Sequence, residues 1–281
     1  MYEYGFQICD VNLLLKTSDP IRLDGETKLF HGQNGHSQLE IECRKVEEIQ
    51  ISGRFFDKGL FRLIQKNGAE MVRCRKTGLI NSKLSYNMEY PGRAQLQVTE
   101  KDWDWAMAPS ALWTTLFINH LLLSFRVLTV HASYICYNGH GILFTAPSGT
   151  GKSTQAELWR QYRGAEVVNG DKAGIRVEEG RTMVYGVPFA GTSGICKNRT
   201  LPLRAIVVLS QAPVNRAVRL PASQAVAALY PNVFADQSVA EEQQMALDCV
   251  LDLIEAVPVF SLACTPDVRA VEALERALEE V

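Results

Sequence analysis

The sequence predicts a chain of mixed α+β and α/β class, in which a β-rich N-terminal domain precedes a domain with a mixed sheet and flanking helices. Short apolar runs, several with alternating polar positions, recur over the first hundred residues. An apolar strand, a glycine-rich turn and a helix then follow one another within residues 141–163. Strand and helix patterns alternate from there onward, so we expect domains at 1–104 and 105–281.

In the N-terminal part, apolar alternation and flanking turn residues predict a series of strands. Their expected positions are near 3–9, 38–46, 59–64, 70–76, 82–89 and 93–99. The polar, glycine-containing run 24–37 is typical of a loop. This part of the sequence carries no catalytic motif.

The C-terminal part is expected to begin with a helix over Ala108–Arg126, with Pro109 in its first turn. The pair Asn138-Gly139 between two apolar runs is a strong hairpin signal. Strands are predicted at Leu128–Tyr137, 141–145, Ala165–Val168, Gly174–Val177, Arg181–Val187, Arg204–Ser210 and Val257–Ala263. Helices are predicted at 152–163, Pro221–Leu229, Ala240–Ala256 and 266–280.

Composition indicates a globular protein with a sizeable core, because 47% of the 281 residues are hydrophobic and 21% are charged. The formal net charge of −2 gives no electrostatic reason to expect nucleic acid or an anionic membrane as a partner. Seven scattered cysteines without a Cys-x-x-Cys pair argue against a disulfide framework or a zinc site. We therefore expect a reducing, cytoplasmic environment.

The interval between Asp104 and Arg126 has no charged residue and is largely apolar. It also contains Pro109, Asn119 and His120, together with several Ser and Thr residues, which is too polar for a spanning helix. A helix buried against a sheet explains it better, and we expect no membrane association.

One stretch carries the clearest chemical signal, because an apolar strand enters a glycine-rich turn and Gly-Lys-Ser-Thr then opens a helix. Backbone N–H groups of such a turn and the positive end of the helix dipole form a cradle for phosphate oxygens. The pattern is a Walker A phosphate loop, except that Ala146 takes the place of the first glycine. The residues predicted to bind nucleotide are Ser148, Gly149, Thr150, Gly151, Lys152, Ser153 and Thr154.

Two residues outside this loop are candidates for the chemistry. Asp171 ends an apolar strand, where a carboxylate can hold Mg²⁺ or accept a proton; the alternative is a turn residue that caps the bend 170–172. His131 lies on an apolar strand, and the alternative there is an ordinary core histidine.

The connection 191–199 contains glycines and ends in a basic run with Lys197 and Arg199. As a mobile lid, it would bring one of these cations to the transferred phosphoryl group. As a solvated hairpin, it would carry two surface cations without a catalytic role. Both interpretations fit the sequence.

In chain order, these elements resemble the HPr kinase/phosphorylase-like group, whose folds are related to phosphoenolpyruvate carboxykinase. The resemblance covers residues 125–265 and is closest to short bacterial relatives, some of which phosphorylate a serine of a precursor peptide. It implies an HPr kinase C-terminal-like phosphate-loop domain. It rests on Val130-His131-Ala132, the stretch 141–154, Asn169-Gly170-Asp171, Tyr185-Gly186-Val187-Pro188 and the run 199–213.

The resemblance also implies roles for individual residues. His131 should lie near the γ-phosphate, and Asp171 matches the second of two adjacent acids in that group. At the position of the first acid, which is the proton acceptor of HPr kinases, this sequence has Gly170. The signature for dephosphorylation is not matched, so phosphorylase activity is not expected.

We therefore predict an ATP- and Mg²⁺-dependent kinase whose acceptor is a hydroxyl, with a serine of a peptide or protein as the leading acceptor. The predicted catalytic residues are Lys152, Asp171, His131 and Arg199, and the predicted metal ligands are Ser153 and Asp171. A small hydroxyl metabolite as acceptor, and an accessory protein that binds nucleotide without transfer, are the alternatives. Residues 1–104 should recognise the substrate or a partner, and a homo-oligomer is left open.

Overall fold

The computed structural model describes residues 1–32, 35–51, 56–57, 63–77, 79–178 and 180–280. The chain forms two compact units, Met1–Phe125 and Arg126–Val281. The division at residue 125 differs from the sequence-based division after residue 104, because the helical segment after residue 102 packs into the first unit. There the Trp113 ring meets the Phe6 ring edge to face, with centroids 5.1 Å apart.

The first unit is built on a mixed sheet. Its described strands are β1 (Tyr2–Ile8), β2 (Val11–Thr17), β3 (Leu39–Val46), β4 (Phe56–Asp57), β5 (Leu63–Asn67), β6 (Glu70–Thr77), β7 (Leu79–Asn87) and β8 (Arg93–Thr99). They lie in the order β1-β2-β3-β8-β7-β6-β5-β4. Strand β3 is parallel to both β2 and β8, and the other neighbours are antiparallel. Part of the strand predicted at 59–64 lies outside the described residues.

Strand β2 was missed by the sequence prediction, although its alternation buries Val11, Leu13 and Leu15. The turn that joins it to β1 consists of Cys9 and Asp10, whose φ angles are 52° and 59°. Two-residue hairpin turns in which both residues have a positive φ usually have the sequence Asn-Gly, Asp-Gly or Gly-Gly. Cys-Asp gives no such signal, so the prediction of one strand at 3–9 was incomplete.

The run 24–37, predicted as a loop, contains helix α1 (Gly25–Phe30). Its side chains Thr27 and Phe30 are buried, so packing rather than intrinsic propensity holds this short helix.

The long helix predicted over Ala108–Arg126 is wrong. A short helix, α2 (Trp103–Ala106), precedes this interval, and two more, α3 (Leu112–Thr115) and α4 (Ile118–Leu123), lie within it. Phe117 has a φ of 48° between the last two, and a left-handed residue cannot continue a right-handed helix. Among the described residues, no helix is long and apolar enough to cross a membrane.

The second unit contains a second mixed sheet with flanking helices, which confirms the predicted mixed α/β character. Its described strands are β9 (Leu128–Tyr137), β10 (His140–Thr145), β11 (Glu166–Asn169), β12 (Lys172–Glu178), β13 (Arg181–Gly186), β14 (Thr200–Gln211), β15 (Arg216–Arg219) and β16 (Val259–Cys264). The helices are α5 (Lys152–Arg163), α6 (Ala222–Leu229), α7 (Ala240–Ala256) and α8 (Val268–Glu279).

This sheet runs in the order β10-β9-β12-β13-β14-β16-β15, with β11 beside β9. Strand β10 also pairs with β14, which closes β10, β9, β12, β13 and β14 into a ring. Strands β10, β14 and β16 are parallel neighbours, so their carboxyl ends meet at one edge. That edge carries the turn between β10 and α5.

The bounds of α5 and α7 agree with the sequence prediction, because both helices have clear periodicity and helix-forming composition. Helix α8 begins two residues after Pro266, since Asp267 caps it by accepting a hydrogen bond from Arg269 N at 2.9 Å. Strand β15 was missed because its short sequence is mostly exposed and shows no apolar alternation.

The predicted hairpin turn is present, with φ angles of 49° at Asn138 and 77° at Gly139. A Cβ added to Gly139 would meet no atom within 4 Å, so the cost of a side chain is purely conformational. We expect Gly139→Ala to lower the free energy of unfolding by about 1 kcal/mol, or a few degrees in the melting temperature of the second unit. Calorimetry of the full chain measures this.

Gly139→Asn is the control for this turn, since asparagine tolerates left-handed backbone better than alanine. It should lose less stability than Gly139→Ala. An equal loss in the two variants would contradict the conformational explanation.

Candidate functional site

The turn 146–151 joins the end of β10 to the first residue of α5. Gly149 and Gly151 have φ angles of 80° and 115°, a region that side chains resist. No atom lies within 4 Å of a Cβ placed on either residue, so the space in front of the turn is open. Ala146 is fully buried in the core beneath it, which explains why a methyl group is accepted where the motif usually has glycine.

Lys152, the first residue of α5, is only 7% exposed and lies against its own turn. Its ammonium donates hydrogen bonds to the carbonyl oxygens of Ala146 at 2.9 Å and Pro147 at 3.2 Å. Burial lowers the pKa of Lys152, and the Asp171 carboxylate partly opposes this shift. The turn therefore holds a cation whose partners are neutral carbonyls, and an anion at the mouth would bind it more strongly.

The hydroxyl groups predicted to bind nucleotide belong to the same turn and to the first residues of α5. Ser148, Ser153 and Thr154 are exposed, which leaves their hydroxyls accessible from the open side of the turn. Thr150 Oγ1 donates to the carbonyl of Pro147 at 2.9 Å and stiffens the turn. The start of α5 also presents backbone N–H groups with the positive end of its dipole.

Asp171 lies between β11 and β12, beside β9. Its carbonyl oxygen accepts from Ala132 N at 3.1 Å, and its carboxylate is 3.8 Å from His131 Nε2. The role of turn capping belongs to Asn169, whose Oδ1 accepts from Asp171 N at 2.9 Å and from Lys172 N at 3.1 Å. The Asp171 side chain is thus not used to shape the bend, and it is about one-third exposed.

His131 is partly exposed and lies on β9, directly opposite Lys172 of β12. Its carbonyl oxygen accepts from Thr145 Oγ1 at 2.8 Å, which ties this point of β9 to the end of β10. Burial lowers the pKa of His131, Lys152 and Lys172 lower it further, and Asp171 acts in the opposite direction. The lowered pKa favours the uncharged imidazole at neutral pH, and an uncharged imidazole can accept a proton.

Lys172 follows Asp171 and lies opposite His131, so it belongs to the group formed by Lys152, Asp171 and His131. The sequence prediction missed it. Its ammonium lies 3.7 Å from the centroid of the Phe189 ring and 4.4 Å from that of Phe234. Burial lowers its pKa, and Asp171 partly opposes this. The sequence offered one signal, a lysine next to Asp171, but the two aromatic residues come from distant segments.

Gly170 stands where the resembling kinases have their first acid, and the structure gives a reason for glycine. A Cβ at residue 170 would overlap both the Cβ and the Oγ of Ser193. Ser193 is held in place, because its Oγ donates to Ala190 O at 2.7 Å and accepts from Ile195 N at 3.1 Å. Its hydroxymethyl group therefore occupies the space into which a side chain at residue 170 would project.

Gly191 lies equally close to Asp171. A Cβ on Gly191, whose φ is 56°, would come within 2.6 Å of the Asp171 Cβ. The short 3₁₀ helix Gly191–Ser193 thus packs directly behind the Gly170–Asp171 bend.

The structure does not bring Arg199 or Lys197 to the group around Asp171. Both cations form ion pairs with Glu166, and Lys197 Nζ lies 2.8 Å from Glu166 Oε1. Glu166 faces Cys136 of β9, whereas Asp171 bonds to Ala132, so the two places are about 13 Å apart along β9.

The connection 191–199 is tied to β11 through its backbone. Gly170 N donates to Ile195 O at 3.3 Å, and Lys197 N donates to Val168 O at 3.0 Å. A Cβ on Gly186 would overlap the carbonyl of Lys197, which shows how closely the segment is packed. The connection therefore runs beside the sheet and is not a hairpin projecting into solvent.

For a cation, the described residues offer no cluster of three or more His, Cys, Asp or Glu side chains. The oxygen donors predicted to hold a metal ion are the Ser153 hydroxyl and the Asp171 carboxylate, which acts electrostatically on Lys152. These are the hard donors that suit Mg²⁺, an ion that keeps several waters and binds through few protein groups.

Comparison with known proteins places the chain in a family. Residues 97–279 match the family described as "SynChlorMet cassette protein ScmC". This chain belongs to that family. The match takes in the helical segment that ends the first unit and nearly all of the second unit.

Other comparisons are less informative. No curated protein matches the chain. The solved structure of the Hpr(Ser) kinase/phosphatase from Coxiella burnetii is similar over 54% of this chain and 96% of that chain, at 14% sequence identity and a TM-score of 0.33. A likeness of this size carries no argument about fold or activity.

The packing of Ser193 on Gly170 is testable with a double-mutant cycle. Gly170→Asp should destabilise the second unit by about 1–3 kcal/mol, because the new side chain has no space. Ser193→Gly in the same chain should recover most of that loss, although Ser193→Gly alone removes two hydrogen bonds. Melting curves of the parent, the two single variants and the double variant give the coupling, and strictly additive losses would refute the packing.

The electrostatic coupling of His131 to Lys172 gives a pH prediction. Lys172→Met removes a neighbouring cation, so the pKa of His131 should rise toward the ordinary value, whereas Lys172→Arg should leave it close to the parent. Titration of the histidine ring protons by NMR measures this, with the His131 signal assigned from a His131→Gln variant. An unchanged or lower pKa in Lys172→Met would show that the two groups are not coupled.

Proposed function

We propose that this chain is a kinase that uses ATP and Mg²⁺ to phosphorylate a hydroxyl group, with a serine of a peptide or protein as the acceptor. The observation that carries the proposal is the place of Lys152. Its ammonium lies inside a turn with left-handed glycines, at the start of a helix, and interacts electrostatically with Asp171. A buried cation in such a turn suits a polyphosphate, and a carboxylate beside it suits a metal ion or an attacking hydroxyl.

Phosphate binding would exchange the partners of the Lys152 ammonium. The carbonyls of Ala146 and Pro147 hold it in the free protein, and the terminal phosphate oxygens would replace them with charge-assisted hydrogen bonds. The backbone N–H groups and hydroxyls of residues 148–154 would surround the remaining oxygens. Lys172 supports this proposal as a second cation of the group, held between two aromatic rings.

The metal would be held by the Ser153 hydroxyl and, directly or through water, by the Asp171 carboxylate. When bound, Mg²⁺ offsets the negative charge of the phosphate oxygens. Asp171 would then also lie beside the acceptor, where it can orient the hydroxyl.

In the transfer itself, the acceptor oxygen forms a bond to the γ-phosphorus while the bond from that phosphorus to the β–γ bridging oxygen breaks, and ADP leaves. The hydroxyl proton passes to the Asp171 carboxylate or to the neutral imidazole of His131, 3.8 Å away from it. A loose transition state needs little help from a base, so orientation and charge compensation can supply most of the acceleration. The absence of an acid at residue 170 is therefore compatible with transfer.

Gly170 and Ser193 also favour a second candidate. If the proton acceptor at residue 170 is indispensable, the same site would bind nucleotide without transferring phosphate, and the chain would act as an accessory protein. The two candidates differ in one measurement, which is the appearance of labelled product.

The acceptor is proposed from the resemblance to short bacterial kinases that act on a precursor peptide. Lys152, Asp171, His131 and Lys172 all lie in the second unit. The first unit is proposed to select the acceptor.

The test is to incubate the purified chain with γ-labelled ATP, Mg²⁺ and a lysate of its host, and to map the labelled residues by mass spectrometry. Lys152→Ala should reduce labelling on the order of 10²–10³-fold, because it removes the charge that faces the transferred group. Asp171→Asn should abolish labelling while ATP binding, measured by calorimetry, persists.

Arg276→Ala and Glu279→Gln are matched controls, since both side chains are exposed and lie at the end of α8 in the second unit. Labelling at the parental rate in Lys152→Ala would refute the kinase proposal. ATP binding without label in any lysate would establish the accessory protein instead, and label on a small metabolite would replace the peptide acceptor.

A further inference from the structure

A cleft of about 600 Å³ opens beside the turn 146–151, on the side of α5 that faces β14 and β16. It lies past the carboxyl ends of the parallel strands β10, β14 and β16, and ligand sites of α/β folds are commonly found at such strand ends. Its volume falls within the range of about 300–1,000 Å³ that is usual for small-molecule sites. The residues that define it are Gly151, Gln155, Leu209, Gln211, Cys264 and Pro266.

The walls of the cleft differ in character. Leu209, Cys264 and Pro266 supply an apolar surface at the ends of β14 and β16. Gln211 connects this surface to the turn, because its Nε2 donates to the carbonyl of Thr150 at 3.4 Å. A ligand whose anionic end lies in the turn would therefore extend an uncharged end along this wall.

Gln155 is the polar group of the cleft that lacks a partner. It is 2% exposed and lies one turn into α5, below the glycine-rich turn. Its Nε2 donates to Cys264 Sγ at 3.3 Å, but its Oε1 is buried without a hydrogen-bond partner among the described residues. Such orphan oxygens are unfavourable unless a donor arrives, and a lining residue can obtain that donor from a ligand.

We infer that this cleft is the nucleoside subsite of the chain: the base lies on the wall of Leu209, Cys264 and Pro266, and Gln155 accepts a hydrogen bond from the nucleoside. The donor is either a ribose hydroxyl or the exocyclic amine of the base. This inference rests on the proposed nucleotide binding at the turn. It adds that contacts between the cleft and the nucleoside, in addition to the phosphate contacts, contribute to the affinity and selectivity for the nucleotide. Polyphosphate without a nucleoside would occupy the turn alone.

The first experiment compares ATP with inorganic tripolyphosphate by calorimetry on the full chain. Gln155→Met keeps the side-chain volume and removes the acceptor, so it should weaken ATP binding about tenfold and leave tripolyphosphate binding unchanged. Gln161→Met, on the exposed face of the same helix, should change neither affinity. An equal loss for both ligands, or no loss for ATP, would overturn the inference.

The parental protein separates this inference from the proposed function. Tripolyphosphate and ATP bound with the same affinity would overturn the nucleoside subsite and leave the phosphate site standing. If the parent binds neither ligand, the proposed function fails and this inference fails with it.

The second experiment reports position directly. ATP should slow alkylation of Cys264 by N-ethylmaleimide, mapped by mass spectrometry, whereas tripolyphosphate should not, because only the nucleoside would cover the thiol. Cys196 lies outside the cleft, and its Sγ donates a hydrogen bond to Val187 O at 3.1 Å. It is the internal control and should react alike in all samples. Unprotected Cys264 under saturating ATP would place the nucleoside elsewhere.

Two analogues distinguish the donors. 2′,3′-Dideoxy-ATP lacks both ribose hydroxyls, and purine riboside triphosphate lacks the exocyclic amine. The analogue that lacks the recognised donor should bind the parent and Gln155→Met equally. If both analogues, and ATP itself, keep the same affinity ratio between parent and variant, Gln155 recognises neither group and the assignment to it is overturned.

Discussion

The carboxamide of Asn169 is fully buried, and three hydrogen bonds of this side chain fix the bend on which the site depends. Its oxygen holds the N–H groups of Asp171 and Lys172, and its nitrogen holds the carbonyl of Val187 at 2.9 Å. Because the Asn169 carboxamide makes the hydrogen bonds that shape the bend, the side chains of Asp171 and Lys172 are not needed for them. An aspartate in place of Asn169 would keep the acceptor but lose the donor and would bury a charge.

Burial and charge act together on the residues around this bend. Lys152 and Lys172 carry positive charge into a partly desolvated place, and Asp171 compensates them only in part. The group is therefore more favourable with an additional anion than without one, which is the electrostatic condition for binding a polyphosphate. Burial and the same two cations lower the pKa of His131, and this shift favours the uncharged imidazole within a cluster that otherwise carries positive charge.

Local signals in the sequence predicted the strand–turn–helix unit, the Asn138-Gly139 hairpin and the bounds of α7. What they could not predict depends on distant contacts. The aromatic rings around Lys172 come from segments that no spacing rule connects, and Ser193 approaches Gly170 only after the chain has folded back along β11. The prediction of one long helix around Phe117 was wrong for a similar reason, since tertiary burial overrode an apolar pattern that favours one long helix.

The ring formed by β10, β9, β12, β13 and β14 has a consequence for synthesis of the chain. The strand that feeds the glycine-rich turn obtains one neighbour immediately, through the hairpin, but its other neighbour is β14 (Thr200–Gln211). During translation, β10 therefore waits with one unpaired, apolar edge until about sixty more residues have been made. Pairings of such long sequence separation form slowly, and exposed strand edges invite association with other chains. A chain interrupted before residue 200 would contain the complete glycine-rich turn and α5, and yet the strand before that turn would have an unpaired edge that favours aggregation.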